Sequence, residues 1–196
     1  MKKIIFPILM LTFIASTTFA GPFGLSKGMS VEEISKLSEK GYEPTSPDND
    51  DRYLFVPKKK HEVFKIYIAF IDQEKGLYSI RAVSEEIKTN DYGTELKNVF
   101  SDMVDRLSKI YGKPKIIDKI NSDSHFKEDK HWMYTLGQGA RTLAAGWIKG
   151  EKDTNLPEEL DSVAISVKAD YHDGYLILEY NFSNSAEIEE KQDDVL

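Results

Sequence analysis

The chain has 196 residues, with 26 basic and 33 acidic side chains, a formal net charge of −7 and no cysteine. This length suits one compact domain or two small ones. The lack of cysteine excludes disulfides, thiolate zinc sites, a cysteine nucleophile and a lipidated N-terminal cysteine, and the acidic charge argues against binding to nucleic acid.

The first twenty residues have the pattern of a secretory signal peptide. Lys2 and Lys3 give a positive start, residues 4–14 form an apolar run, and small residues precede the expected cleavage point. That run is about half the length that a membrane-spanning helix needs. We therefore predict cleavage after Ala20 and a periplasmic or secreted protein with no membrane span. The mature chain keeps 24 basic and 33 acidic residues and a net charge of −9.

Residues 21–88 are predicted to form a first α+β module. Ser30 and Glu33 match a capping box, which predicts a short helix starting there and closed by a left-handed residue at Gly41. Prolines and acidic residues over 43–52 favour a loop. Strands are predicted over 53–56, 63–71 and 77–83. The almost unbroken apolar run over 63–71 predicts a central strand covered on both faces.

Residues 89–182 are predicted to form a second module. Apolar residues recur at three- and four-residue steps between positions 96 and 111, which predicts a long amphipathic helix capped by Asp91 or Thr94 and ended by Gly112. Strands are predicted over 115–120, 131–136 and 142–149. Two alternating runs, over 163–170 and 176–182, predict a hairpin with its turn at Asp173-Gly174. The acidic segment 183–196 is predicted to be a disordered tail.

The order of these elements, a helix followed by strands and then the same again, predicts the fold class. We expect an α+β protein built from two helix-plus-antiparallel-meander modules in tandem. The alternative is one α+β domain without internal symmetry.

A short pattern at the first helix resembles known families. Gly28-Met29-Ser30, followed by Glu33 and Ile34, resembles the start of the small outer-membrane assembly lipoproteins of the SmpA/OmlA type (BamE-like). It is also similar to the beta-lactamase inhibitor proteins, which consist of two helix-plus-meander modules in tandem. The chain lacks the lipidated cysteine of the first family and the cysteines of the second. The resemblance therefore implies only a fold that commonly binds other proteins without catalysis.

No motif in the sequence predicts a catalytic, cofactor or metal site. His125, Glu128 and His131 lie close together, but their spacing does not place all three on one helical face, and their polar segment predicts a solvated loop. There is no Gly-x-Ser-x-Gly elbow. The glycines around Gln138 lack both the third glycine and the lysine of phosphate-binding loops.

Aromatic side chains on predicted strands are the candidate partner-binding residues, because Tyr and Trp contribute much of the energy at protein interfaces. The candidates are Tyr53, Trp132, Tyr134, Trp147 and Tyr175. We expect a non-catalytic exported protein that binds another protein of the cell envelope through a sheet face or loops. An inhibitor or immunity protein that neutralises an envelope-acting enzyme is one version, and its acidic charge suits a basic target. A factor that assists envelope assembly is another. The alternative is a small-ligand carrier or hydrolase with a pocket between the sheet and the long helix.

Overall fold

The structure, a computed structural model, describes residues 21–47, 50–122, 124–170 and 173–188. The predicted signal peptide and its cleavage point lie outside these residues. Within the described part, no helix combines the length and the apolar character needed to cross a membrane.

An antiparallel sheet of eight strands forms the centre of the molecule, and the predicted α+β class is confirmed. The strands are β1 (Arg52–Phe55), β2 (Phe64–Asp72), β3 (Gly76–Ser84), β4 (Ile87–Lys88), β5 (Lys115–Ile120), β6 (Arg141–Ile148), β7 (Leu160–Asp170) and β8 (Asp173–Phe182). The α-helices are α1 (Val31–Leu37), α2 (Thr94–Tyr111) and α3 (Trp132–Gly137), and 3-10 turns occur at Pro22–Gly24 and Asp129–His131. The strand order is β1-β2-β3-β8-β7-β6-β5, with β4 also paired to β8.

The predicted capping box starts α1. The Ser30 N–H donates to Glu33 Oε2 at 2.9 Å, and the Glu33 N–H donates to Ser30 Oγ at 3.3 Å, so two free donors of the first turn are satisfied. The helix ends earlier than predicted, at Leu37, where Ser38 Oγ donates to the Ile34 carbonyl. Gly41 has a positive φ of 90°, but it lies in the turn beyond the helix and does not cap it.

The long helix α2 packs its apolar stripe on the sheet, as the periodicity predicts. Its buried side chains are Leu96, Phe100, Met103, Val104, Leu107 and Tyr111. Gly112 ends the helix with a φ of 82°. Neither Asp91 nor Thr94 caps the start. The Asn90 side chain accepts a hydrogen bond from the Thr94 N–H at 3.2 Å, and Gly93 takes the N-cap position in a left-handed conformation.

The strand predicted over 131–136 is wrong, because these residues form the end of a 3-10 turn and the helix α3. Trp132, Met133 and Leu136 are buried, so the segment turns apolar groups at helical spacing toward the core. A short apolar run of this length fits a buried helix as well as a strand, and its periodicity cannot distinguish the two.

The prediction that the run over 63–71 is a central, doubly covered strand is also wrong. The strand β2 is second from the sheet edge, and only one of its faces is packed. Tyr67, Ala69 and Ile71 are buried on the side of the core, while Ile66 on the opposite side is 47% exposed.

The predicted hairpin at the end of the chain is present as β7 and β8, but its turn is displaced. Asp173 pairs with Asp170 and Gly174 with Ala169, so both residues of the predicted turn belong to β8. The residues between the strands, 171 and 172, lie outside the described part. The predicted tail also begins too early, because residues 185–188 form a helical turn in which Ile188 is buried. Residues 189–196 lie outside the described part.

The strands of both predicted modules lie in one sheet over one hydrophobic core. Pairing of β3 with β8 joins the two meanders, and buried residues from Leu25 to Phe182 form a single cluster. That the halves are related as a repeat stays a prediction.

Gly93 and Gly139 make a matched pair for testing how closely α2 approaches α3. Both have a φ of 68°, but a Cβ on Gly93 would lie 2.2 Å from the Trp132 ring, whereas Gly139 has nothing within 4 Å. We expect Gly139→Ala to lower the free energy of unfolding by about 1–2 kcal/mol through backbone strain alone. Gly93→Ala should lose about 1–3 kcal/mol more through overpacking. Urea unfolding measures both losses, and equal losses would contradict the contact.

Ile80 and Ile66 test whether only one sheet face is packed. Ile80 on β3 is fully buried on the core side, and Ile66 on the neighbouring strand lies on the opposite side. We expect Ile80→Ala to lower the free energy of unfolding by about 2–5 kcal/mol. Ile66→Ala should cost less than about 1 kcal/mol, because its side chain leaves little cavity. A large loss for Ile66→Ala in urea unfolding would show that something covers this face.

Candidate functional site

One face of the sheet is left uncovered by the helices that the structure describes, and we call it the open face. The helices α2 and α3 contact β6, β7 and β8 on the core side. Strand registers place alternate residues on the opposite side, where Ile66 pairs with Val83, Val83 with Ile177, and Ile177 with Ser166. None of these four residues is fully buried. The open face is therefore a continuous surface across the sheet.

Apolar side chains form a band across four strands of the open face. Its members are Leu54, Ile66, Ile68, Phe70, Val83 and Ile177. Leu54 and Ile66 are exposed, and the others are partly exposed. Leu54 lies opposite Ile68 and Ile66 lies opposite Val83, so apolar residues are directly opposed across neighbouring strands.

An ion pair lies at the centre of the open face. Arg81 donates through Nε to Glu179 Oε1 at 2.6 Å, and its guanidinium carbon lies 5.2 Å from the centre of the Phe70 ring. Beside it, Ser79 Oγ donates to Asn181 Oδ1 at 2.8 Å, and Asn181 Nδ2 donates to Ser162 Oγ at 3.1 Å. These bonds fix the polar groups next to the apolar band, which gives the face a defined pattern of donors and acceptors.

The two halves of the open face differ in relief. Ala164 on β7 and Ala144 and Gly146 on β6 continue the face with small residues. The larger isoleucine and phenylalanine side chains are concentrated on β2. A flat region of small side chains lets another backbone approach closely, while the apolar band supplies area to bury.

A groove of about 1080 Å³ borders the open face on the β1 side. Leu54 and Ile66 line it from the sheet, and Lys36 and Lys40 line it from α1 and the segment after it. The border also includes Lys58, Lys65, Glu39 and Glu43. Next to the groove, the Glu39 carboxylate lies 2.8 Å from the Lys60 ammonium and raises the pKa of that lysine. Lysines therefore outnumber acids along this border of an acidic protein.

The five aromatic residues singled out by the sequence do not form one surface. Trp132 and Trp147 are fully buried in the core, so neither is accessible to a partner. Tyr53 is partly buried on the core side of β1, and Tyr134 is exposed on α3. Tyr175 is partly exposed and pairs with Lys168 on the open face. The isoleucines of the apolar band were not among the candidates predicted from the sequence, in which they belong to an almost unbroken apolar run over 63–71.

The buried tryptophans have structural contacts instead. Trp147 Nε1 donates to the Gly112 carbonyl at 2.7 Å and so ties β6 to the end of α2. The Lys97 ammonium lies 4.4 Å from the centre of the Trp132 ring, and burial lowers the pKa of Lys97. Trp147 therefore joins β6 to the end of α2, and Trp132 joins α3 to α2.

A smaller pocket of about 430 Å³ lies beside α3 and not between the sheet and α2. Asp91, His131, Tyr134, Gln138 and Asp170 line it, and Phe126 packs edge-on against His131 and Tyr134 at 5.0 and 5.1 Å. Within the described ranges, no three His, Asp or Glu side chains are placed to hold a metal ion. Lys130 also lines the pocket, which thus offers side chains of both charges.

Comparison with protein families, with curated proteins and with solved structures finds no match to this chain. The resemblance to the SmpA/OmlA-type lipoproteins and the beta-lactamase inhibitors therefore stays a prediction.

Proposed function

We propose that this is an exported, non-catalytic protein that binds another protein through its open face. The observation that carries the proposal is the apolar band, which spans four strands on an uncovered sheet face. Contiguous apolar surface on a folded protein typically marks an interaction site, whereas scattered apolar side chains do not. As a surface for binding another protein, the open face is better suited than the five aromatic residues predicted from the sequence.

The polar centre of the open face supports a specific partner. The Arg81–Glu179 pair is only partly exposed, and each side chain has its charge compensated before a partner arrives. Burying an already paired and hydrogen-bonded charge costs less than burying a free one. A partner can therefore cover the centre while the surrounding apolar band supplies most of the binding energy.

The lysines at the two borders of the open face indicate the charge of the partner. Lys36 and Lys40 border the groove on one side, and Lys115 and Lys119 lie on the open side of β5 at the other. The net charge of the chain suggests a basic target, but these borders favour acidic groups around the partner's contact surface. An inhibitor or immunity protein of the envelope would then act on a partner whose binding surface is apolar with an acidic rim.

Export is the second part of the proposal, and it rests on the signal-peptide pattern. We expect the mature protein, purified from a culture of its source cell, to begin at Gly21 and to be found in the periplasm or medium. Mass spectrometry of the purified protein measures its N-terminus. A cytosolic protein that retains residues 1–20 would contradict export without bearing on the open face.

Binding through the open face can be tested with one double aspartate variant and one control variant. Ile66→Asp together with Ile68→Asp places charge in the apolar band, while Ile110→Asp places charge on α2, where Ile110 is 57% exposed. The partner is recovered by crosslinking from an envelope extract, identified, purified and measured for affinity. We expect the band variant to bind at least about thirtyfold more weakly than the native protein, since hot-spot losses are about 2 kcal/mol or more.

The control variant should bind the same partner with unchanged affinity. Circular dichroism and urea unfolding establish that both variants are folded. If no stoichiometric partner is recovered, or if the band variant and Ile110→Asp bind equally well, the open face is not the binding surface.

A further inference from the structure

The last strand of the sheet, β5, has an exposed free edge. It pairs with β6 on one side, and no described strand lies on its other side. None of its residues is buried, and Ile116 and Ile117 are 58% and 43% exposed. An edge of this kind presents unpaired N–H and C=O groups and is a template for another strand.

The register identifies which backbone groups point outward. The Asn121 N–H donates to the Ala140 carbonyl of the neighbouring chain segment at 2.7 Å. Both groups of one residue point to the same side of an antiparallel strand, and the side alternates along the chain. Residues 115, 117 and 119 therefore bond to β6, while the N–H and C=O groups of Ile116, Asp118 and Ile120 point away from the sheet.

We propose that the free edge of β5 binds an extended segment of a partner protein that carries an acidic, an apolar and an acidic residue at alternate positions. Backbone bonds to Ile116, Asp118 and Ile120 would add the segment to the sheet as a further strand. The inference concerns the sheet edge and not the open face, so it does not depend on the proposed function.

Charge and spacing select the acidic pattern. Lys115, Ile117 and Lys119 share the open side of β5, because they pair with Gly146, Ala144 and Thr142. These three residues use their backbone groups on β6, so toward an added strand they form non-hydrogen-bonded pairs, in which opposed side chains approach most closely. Acids opposite the lysines and an apolar residue opposite Ile117 satisfy all three positions.

A second copy of this chain is a poor occupant of the edge. Antiparallel pairing of two β5 strands centred on Ile117 sets Lys115 opposite Lys119 twice. Centring on Lys119 sets two ammonium groups together, and centring on Asp118 sets two carboxylates opposite each other that are each already paired with Arg141 at 3.0 Å. Directly opposed like charges are destabilising, so the registers centred on Ile117 and Lys119 are disfavoured, and only the register centred on Asp118 would compete with an acidic segment.

The probe is a labelled seven-residue peptide of threonine with glutamate at its second and sixth positions and isoleucine at its fourth. Two control peptides carry lysine in place of glutamate, or N-methyl groups on the third and fifth residues, which remove the donors facing β5. Fluorescence anisotropy measures affinity for the full mature chain. We expect the glutamate peptide to bind at least about tenfold more tightly than either control.

Variants of the edge separate strand addition from simple charge attraction. Ile116→Pro removes an outward N–H without touching a bond to β6, a position where proline is tolerated in an edge strand. Ile116→Ala keeps that N–H and is its matched control. We expect Ile116→Pro to bind the glutamate peptide at least about tenfold more weakly than Ile116→Ala. Joint replacement Lys115→Glu and Lys119→Glu should reverse the preference, so that the lysine peptide binds more tightly.

Hydrogen exchange followed by NMR gives a readout at the edge itself, where the Ile116, Asp118 and Ile120 amides should exchange more slowly with peptide bound. The proposal is overturned if the glutamate and lysine peptides bind equally, if neither binds at millimolar concentration, or if the N-methylated peptide binds as tightly as its parent. Equal affinity of folded Ile116→Pro and Ile116→Ala would overturn it too. Should Ile116→Pro fail to fold, the joint Lys115→Glu and Lys119→Glu variant is the test, and failure to prefer the lysine peptide would overturn the proposal.

Discussion

Pairing of β3 with β8 is the constraint on which the rest of the structure depends. It joins the three strands of the first meander to the four strands of the second through five paired positions, from Ser79–Asn181 to Val83–Ile177. Where β3 ends, Ser84 Oγ accepts a hydrogen bond from the Leu176 N–H at 2.9 Å, and β4 continues along β8. The whole sheet therefore has one twist and one core, and neither meander has to bury its apolar face alone.

This pairing serves both faces at once. On the core side it sets Ile80 opposite Tyr180, and Tyr180 is packed tightly enough that burial raises its pKa. On the open side it sets Arg81 opposite Glu179. The same five positions thus supply apolar contact under the helices and an ion pair in the centre of the candidate interface. The packing that holds β3 and β8 together on the core side therefore also positions the side chains of the open face.

The helices are too few to cover the whole sheet. Seven strands side by side span roughly 30 Å at about 4.8 Å per strand, and one helix with its side chains is about 10–12 Å across. The single long helix, α2, and the short α3 are both needed on the core side. No helix of the described residues lies on the opposite face, so the apolar band and its polar pairs stay accessible there.

Local patterns in the sequence predicted the elements that depend on local physics. The stripe of α2, its end at Gly112, the capping box of α1 and the β7–β8 hairpin all follow from spacing within a few residues. The strand β2 shows why the open face could not be predicted in the same way. Ile66 and Ile68 are as apolar as the buried Tyr67 and Ala69, so only the tertiary packing shows which face is uncovered.

The aromatic candidates show that the sequence also could not predict which large side chains of the candidate site are exposed. Trp132 lies in a segment too short for its periodicity to distinguish a helix from a strand. Trp147 can be buried because its indole N–H donates a hydrogen bond to the Gly112 carbonyl. Large side chains on predicted strands were as compatible with the core as with a surface. Isoleucines carry no special binding signal in a sequence, although here they form the accessible band.

The two edge strands of the sheet differ in whether their outward backbone groups are hydrogen-bonded, and this difference bears on function. At β1, the Leu54 N–H and C=O both bond to Thr45 of the preceding loop, at 2.8 and 3.0 Å, so the edge is closed. At β5, the corresponding outward groups meet no described strand. Lysines on an edge strand normally prevent unwanted pairing. Lys115 and Lys119 oppose the self-pairing registers that set them against each other, and in our proposal the same two charges favour an acidic strand from a different partner.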